Sequence, residues 1–393
     1  MKKDVVVLNC GSSSVKFAII DATSGEAQMT GLAESLGNQD ASVTVKYKGE
    51  KQKIALSENA MHAEALEEIS RIIAKTGVEP VAVGHRVVHG GEKFKQAVQI
   101  DESVEQAIQE CAAMAPLHNP ANLTGILTAK TAYPSLPHVA VFDTAFFQSM
   151  PQHAYLYALP RALYRDHAIR RYGFHGTSHK YILDTTASEL NKSVDETTII
   201  SAHLGNGCSV TAVAKGKAVD TSLGFTPLEG LVMGTRCGDI DPSLPTVLQQ
   251  KLGKNAEEIN KLLNTESGLL GISELSNDCR ALEEAAEQGH EGATVALEIF
   301  CYRLAKYIGG YMVATPDLDA IVFTGGIGEN SSLIREKTLG YFSHLGVKLD
   351  ADKNLDKRFG AQGEITAADS PIACWVIPTN EEWVIAQQAA QFA

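Results

Sequence analysis

The chain has 393 residues, 44% hydrophobic and 21% charged, with a net charge of −13; this is a globular composition with room for about two or three domains. The acidic balance, with no lysine or arginine cluster to override it, argues against a nucleic-acid binder. No apolar run reaches the length of a membrane span, and seven cysteines without a C-x-x-C pair argue against a disulfide framework or a zinc site and fit a reducing, cytoplasmic setting.

In chain order, the β-branched run Val5–Leu8 and the apolar run Val15–Ile20 predict two strands around a turn of small residues, Gly11 to Ser14. The segment before Asn9 is too short for a signal-peptide core. The stretch ASVTVKYKGEKQKIAL alternates on both sides of Lys48-Gly49-Glu50, as a hairpin does. SENAMHAEALEEISRIIAKTG predicts a helix with Ser57 as N-cap and Gly77 as its stop. A strand at Val81–Val83, a helix near Asp101–Ala115 and a strand in HVAVFDTAFF follow. Near mid-chain the pattern restarts: TTIISAHLGNGCSVTAVAKGKAVDTS reads again as strand, Gly-rich turn, strand and a third short strand. A pattern that restarts at half length points to an internal duplication. Near the end, LDAIVFTGGIGENSSLIREKTL and PIACWVIPTNEEWVIAQQAA each read as strand, turn and helix.

Three Gly-rich turns follow strands: NCGSSSVK, HLGNGCS and TGGIGEN. Small residues let backbone N–H groups approach an anion, although any one such turn is equally a plain tight hairpin. None matches a P-loop or a dinucleotide fingerprint. Two hairpin turns from duplicated halves can grip a nucleotide, which is the arrangement of the actin-like ATPase superfamily. The expected fold class is therefore α/β, with two duplicated actin-like (ribonuclease H-like) domains and an active-site cleft between them. The expected boundaries are residues 1–148 with a C-terminal helix at 382–393, and 149–381 for the second domain, which carries most of the nucleotide site.

The motifs VLNCGSSSVKF, GHRVVHGG, APLHNPANL, VFDTAF, RRYGFHGTSH, HLGNG, TPLEGLVMGTRCGDIDP, SNDCR, FTGGIGEN and IPTNEE together resemble the acetate/propionate kinase family, in order and over essentially the whole chain. Cys208 and Cys237 depart from that likeness, since small residues are expected there. The resemblance implies reversible phosphoryl transfer from ATP to acetate, giving acetyl phosphate and ADP. Propionate kinase of the same family is the near alternative. An actin-like ATPase module or a sugar kinase are alternatives of other classes. A carboxylate nucleophile with a pKa of about 4 is already ionised at neutral pH, so no general base is required, unlike in a sugar kinase.

Arginine presents a planar fork that matches carboxylate and phosphate oxygens. By resemblance, Arg86 holds the substrate carboxylate, while Arg236 and His175 stabilise the transferring phosphoryl group. The bland reading of either arginine is an ordinary ion pair. Asp143 ends an apolar strand, where a carboxylate faces the ligand in many α/β folds; the expected role is ordering Mg²⁺ waters or the arginines, and the bland one a helix N-cap. Asn9 and Glu381 are the expected Mg²⁺ ligands, with Mn²⁺ as an alternative metal; one amide and one carboxylate suffice because Mg²⁺ keeps several waters. Glu381 also suits a helix start. The resemblance places Ser12, Ser14, Lys16, His203, Leu204, Gly205, Asn206, Gly207, Asp278, Cys279, Arg280, Gly326, Ile327, Gly328, Glu329 and Asn330 around ATP, with Asp278 on the ribose and Arg280 against adenine.

Val88, Leu117, Phe174 and Pro227 are the expected acyl pocket. The spacings His85–His89 and His175–His179 are not read as zinc sites, because no acidic or Cys partner stands at ligand spacing; His179 is read as structural. Cys237 beside Arg236 is expected to be an activated thiol, since cations lower thiol pKa. Hinges are expected near 145–155 and 378–385, and a homodimer is the family expectation. No nucleic-acid or membrane partner is expected.

Overall fold

The β-branched run at the start of the chain becomes the centre of a sheet because its residues are buried on both faces. This is seen in a computed structural model that describes residues 2–115 and 118–393. The chain divides into two compact units, residues 1–148 with 380–393, and residues 149–379. The C-terminal segment thus joins the first unit from Asn380, not from residue 382, and this places Glu381 in the first unit rather than the second.

In the first unit, β1 (Asp4–Cys10), β2 (Val15–Asp21), β3 (Ala27–Glu34), β4 (Ser42–Tyr47) and β5 (Glu50–Ala55) form an antiparallel run. The β4–β5 turn uses Lys48 and Gly49, both at positive φ, as a tight hairpin of this hand requires. Helix α1 (His62–Lys75) leads to β6 (Ala82–Val87), which lies parallel to β1. The short β7 (Val98–Gln99), α2 (Glu102–Glu110), α3 (Asn119–Ala132) and β8 (His138–Phe142) complete the order 5-4-3-2-1-6-8-7. The alternation of β1 explains its double burial. Val6 and Leu8 pack with Leu66, Ile69 and Ile73 of α1, while Val5 and Val7 pack with Ile385, Ala386 and Ala389 of the C-terminal helix Glu381–Ala389. Each such side chain contributes about 1.5–3 kcal/mol on burial.

Two local expectations change. Helix α1 starts at His62, not after Ser57; the Ser57 amide donates to the Glu64 carboxylate at 2.7 Å, and that acid folds back over the approach to the helix. The helix near 101–115 stops at Glu110, with Asp101 as its N-cap, and continues as one 3₁₀ turn at Cys111–Ala113. Helix α3 was given no reading in the sequence; Pro120 occupies its first turn, where it costs no hydrogen bond.

In the second unit, β9 (Ile199–Leu204), β10 (Cys208–Ala214) and β11 (Lys217–Thr221) are antiparallel. Strand β12 (Ala320–Thr324) is parallel to β9, β14 (Ala373–Val376) is parallel to β12, and the short β13 (Gly363–Glu364) lies at the edge. The order is 11-10-9-12-14-13. Its first five strands run in the same order and direction as β3-β2-β1-β6-β8, so the duplication read from the sequence is present in the topology. Helix Gly176–Glu189 packs on β9 and helix Glu291–Tyr311 on β10. Among the described residues no helix is long and apolar enough to cross a membrane.

Candidate active site

In the first unit, parallel β1, β6 and β8 end at one edge of the sheet and carry Asn9, Arg86 and, just past β8, Asp143. Arg86 donates from Nη2 to one Asp143 oxygen at 2.6 Å and from Nε to the other at 3.3 Å. The side chains are 22% and 1% exposed. Burial alone would lower the Arg86 pKa, but Asp143, then Glu381 and Glu382, more than offset this and raise it. Glu381, the first residue of the C-terminal helix, therefore lies in the electrostatic field of Arg86. Glu382, which sequence reasoning passed over, forms an ion pair with Lys16. Lys16 stands opposite Asn9 in the β1–β2 register. The turn between them closes by Gly11 N–H donating to the Ser14 carbonyl at 2.8 Å; Ser12 is exposed and Ser14 half-buried.

Val88 is buried, and its N–H donates to Asn122 Oδ1 at 3.1 Å. The Asn122 amide in turn donates to the Cys10 carbonyl at 2.8 Å. Asn119 accepts from His89 N–H at 3.1 Å and donates to the His89 carbonyl at 2.9 Å. These two buried amides tie the loop after β6 to the end of β1 and were missed. Their signal was the pair of Asn residues in APLHNPANL, two amides at i, i+3 on one helical face. Leu117 lies outside the described residues. His85 shares a 2.9 Å hydrogen bond with His138, and burial holds both rings below the usual histidine range.

The second unit arranges three sets of groups. Gly205 N–H donates to the Gly207 carbonyl at 3.1 Å and closes the β9–β10 turn. Arg236 Nη1 and the His175 ring lie over Gly207: a Cβ there would stand 3.4 Å from Nη1 and 3.6 Å from the ring. Arg236 donates to the Pro227 carbonyl at 3.0 Å and touches Met233 Sδ at 3.8 Å. It is half-buried, it has no carboxylate within ion-pair reach among the described residues, and burial pulls its pKa down. A desolvated cation of this kind is costly unless an anion joins it.

His175 adopts the left-handed conformation at the start of its helix. Its Nδ1 shares a hydrogen bond with Ser209 Oγ at 2.9 Å, and its ring stacks on His203 at 4.4 Å between centroids. His179 is fully buried between Ser201 and Ser209, and burial keeps it well below the usual histidine range, consistent with a structural ring. Phe174 is buried beside His175 in the chain, and Pro227 is half-buried.

A groove of about 770 Å³ brings together Gly205, Asn206, Asp278, Cys279, Arg280, Gly326, Ile327 and Asn330. It also takes in Asn277, which lies in the SNDCR motif but was not singled out, and Glu283, Glu284, Glu287, Ser331, Arg358 and Phe359, which carried no motif signal. Asp278 caps helix Cys279–Glu287 and pairs with Arg280 at 2.8 Å. Leu204 is fully buried and does not line the groove, while Cys279 lines it although it is buried. Gly328 offers its carbonyl to the buried Arg335 at 2.8 Å. The expected Gly-rich turn TGGIGEN is a short helix, Gly325–Asn330, and the Glu329 carboxylate folds back onto its first turn, accepting from Gly325 N–H at 2.8 Å. Gly325 needs its positive φ, and a Cβ would meet the Leu204 carbonyl at 2.7 Å.

One expectation is reversed. Burial raises the Cys237 pKa, with Asp239 adding to it, and its thiol donates to the Gly238 carbonyl at 3.1 Å. Arg236 gives its guanidinium to the Pro227 carbonyl, and the charges that act on the thiol are Asp239 and Arg303, so adjacency in sequence does not activate it. Cys208 is fully buried, with its thiol pKa pushed up to about 12.

The topology agrees with the comparisons to known proteins. A profile of the acetokinase family matches residues 4–387. The acetate kinase of Shewanella amazonensis is 58% identical over 389 residues, covering 98% of this chain and 97% of that enzyme. A crystal structure of Porphyromonas gingivalis acetate kinase superposes with a TM-score of 0.94 at 42% identity, covering 99% of each chain. A propionate kinase from Francisella tularensis superposes with a TM-score of 0.94 at 44% identity over 99% of each chain. With the duplicated sheets, the paired Arg86 and Asp143 and the uncompensated Arg236 in place, the chain belongs to the acetokinase family.

Proposed function

We propose that this chain transfers the terminal phosphoryl group of ATP directly to acetate, reversibly, giving acetyl phosphate and ADP. The observation that carries the reading is the contrast between two arginines. Arg86 is held in a fork by Asp143, which fixes its orientation toward a planar carboxylate. Arg236 is desolvated without an anionic partner among the described residues, beside the Gly207 turn and His175, as a group awaiting phosphoryl oxygens would be. Asp143 acts through Arg86, because an ionised acid needs no base. His175, oriented by Ser209, donates toward the phosphoryl group. Such transfer depends on positioning and charge stabilisation more than on covalent chemistry by the protein.

Asn9 and Glu381 present the hard oxygen donors that Mg²⁺ takes, and Glu382 is already committed to Lys16. Two protein ligands fit an ion that completes its shell with water and phosphate oxygens. When bound, Mg²⁺ would neutralise charge on the nucleotide. The groove along Asp278, Arg280 and Gly326–Asn330 takes the nucleoside. A homodimer in the cytoplasm completes the reading, and light scattering that gives the mass of a single chain would remove the dimer.

The test is acyl phosphate formation from Mg²⁺–ATP with acetate, propionate or butyrate, trapped with hydroxylamine. Acetate is expected to have the highest kcat/KM, by about tenfold over propionate if one methylene decides it. ADP release without any acyl phosphate would overturn the reading in favour of an ATPase module.

A further inference from the structure

The position of Glu329 in TGGIGEN invites a role as a nucleotide ligand, but its carboxylate is engaged elsewhere. One oxygen, Oε1, accepts from three donors: Gly325 N–H at 2.8 Å, Thr379 N–H at 3.1 Å and, more weakly, the Thr324 hydroxyl at 3.4 Å. Thr324 is the N-cap and Gly325 the first residue of the short helix Gly325–Asn330, whose Gly326 and Ile327 line the nucleotide groove. Thr379 is the last residue of the second unit. It is fastened a second time, because its hydroxyl shares a 2.8 Å hydrogen bond with Ser178, which also bonds His203 Nδ1 at 2.8 Å. The next residue, Asn380, caps the C-terminal helix by accepting from Trp383 N–H at 3.1 Å, and the helix begins with Glu381.

We propose that Glu329 is a positioning residue that locks the first turn of helix Gly325–Asn330, which lines the nucleotide groove, to the main chain of Thr379 at the end of the second unit. The claim rests on the kinase reading above. Hydrogen bonds to a charged acceptor are stronger than neutral ones, and here a single carboxylate oxygen joins two segments 50 residues apart in sequence. The turn and Thr379 therefore shift together or not at all. Loss of the clamp loosens the nucleotide groove and the Thr379 main chain, both in the second unit, while the Arg86–Asp143 pair belongs to the first.

The test compares wild type with Glu329→Ala, Glu329→Gln and Glu329→Asp. The measurements are steady-state kinetics, ADP titration calorimetry with and without Mg²⁺, and thermal melting. For Glu329→Ala the KM for ATP is expected to rise and kcat to fall, each by about tenfold or more, the worth of a hydrogen bond to a charged group. The KM for acetate should stay within about twofold, as nothing at the acid-binding residues changes. ADP should bind more weakly both without metal and with Mg²⁺. Glu329→Gln keeps Oε1 as an acceptor and should recover most of the loss; Glu329→Asp keeps the charge, withdraws the oxygen and should not. If Glu329→Ala fails to fold, the Gln and Asp variants carry the comparison, and equal kinetics in those two overturn the proposal. A lower melting temperature with wild-type kinetics and ADP affinity also overturns it, leaving Glu329 a purely structural group. Wild type that makes no acyl phosphate refutes the kinase reading itself, a separate result from an unaffected variant of an active enzyme.

Discussion

Replacing Arg86 with Ala tests the acid-binding assignment most directly. Asp143 is 1% exposed and Arg86 22%, so the pair is largely out of water. Removing one member of a buried pair typically costs about 3–5 kcal/mol. Arg86 keeps some contact with solvent and its Nε bond is long at 3.3 Å, which places the expected stability loss at the lower end, about 3 kcal/mol. The catalytic loss is separate. A charge-assisted hydrogen bond to the substrate carboxylate is worth about 1.5–3 kcal/mol, which converts to roughly 10–150-fold in kcat/KM for acetate. The KM for ATP should barely move, because Arg86 belongs to the unit without the nucleotide groove. The assay is hydroxamate formation at varied acetate and fixed, saturating Mg²⁺–ATP, with circular dichroism to verify folding. Asp143→Asn, which keeps the volume and removes the charge, should show the same acetate-directed loss at smaller size. A folded Arg86→Ala protein with kcat/KM for acetate within about threefold of wild type would refute the reasoning.

Two further outcomes are expected. His85 and His179 are held neutral in the fold by burial, well below the ordinary histidine range, whereas the unfolded chain protonates them near pH 6.5. The unfolded state then binds more protons below that pH, so stability should fall as pH drops from 6.5 toward 5, by up to about 1.4 kcal/mol per pH unit for each ring; a melting temperature that is flat between pH 7 and 5 would contradict this. Cys237 is the half-buried member of a set of seven whose other six are buried, and its pKa is raised. Iodoacetamide should therefore label it first among the seven, yet more slowly at neutral pH than a free cysteine, whose pKa is about 8.5; labelling faster than the free amino acid, followed by peptide mapping, would restore the activated-thiol view.

Much of this protein was legible along the chain. Val5–Leu8 and Ile199–Leu204 announce buried central strands, because strand and turn signals are local and depend on side-chain type and spacing. The restart of the pattern at mid-chain announced two like halves for the same reason. The motifs carried the family and the identities of Arg86, Asp143, His175 and Arg236. What those residues do to one another was decided only in three dimensions. Asp143 lies 57 residues from the arginine it holds. Glu329 looks like a ligand in its motif but accepts from Thr379 N–H, and Cys237 stands next to an arginine in sequence that does not activate it. Asn119 and Asn122 sit in a motif that said nothing of their contacts, yet they brace β1 and the loop after β6 from a helix. A carboxylate, an amide or a thiol takes its role from burial and from the partners that the fold brings to it. Those are long-range properties, and local sequence does not contain them.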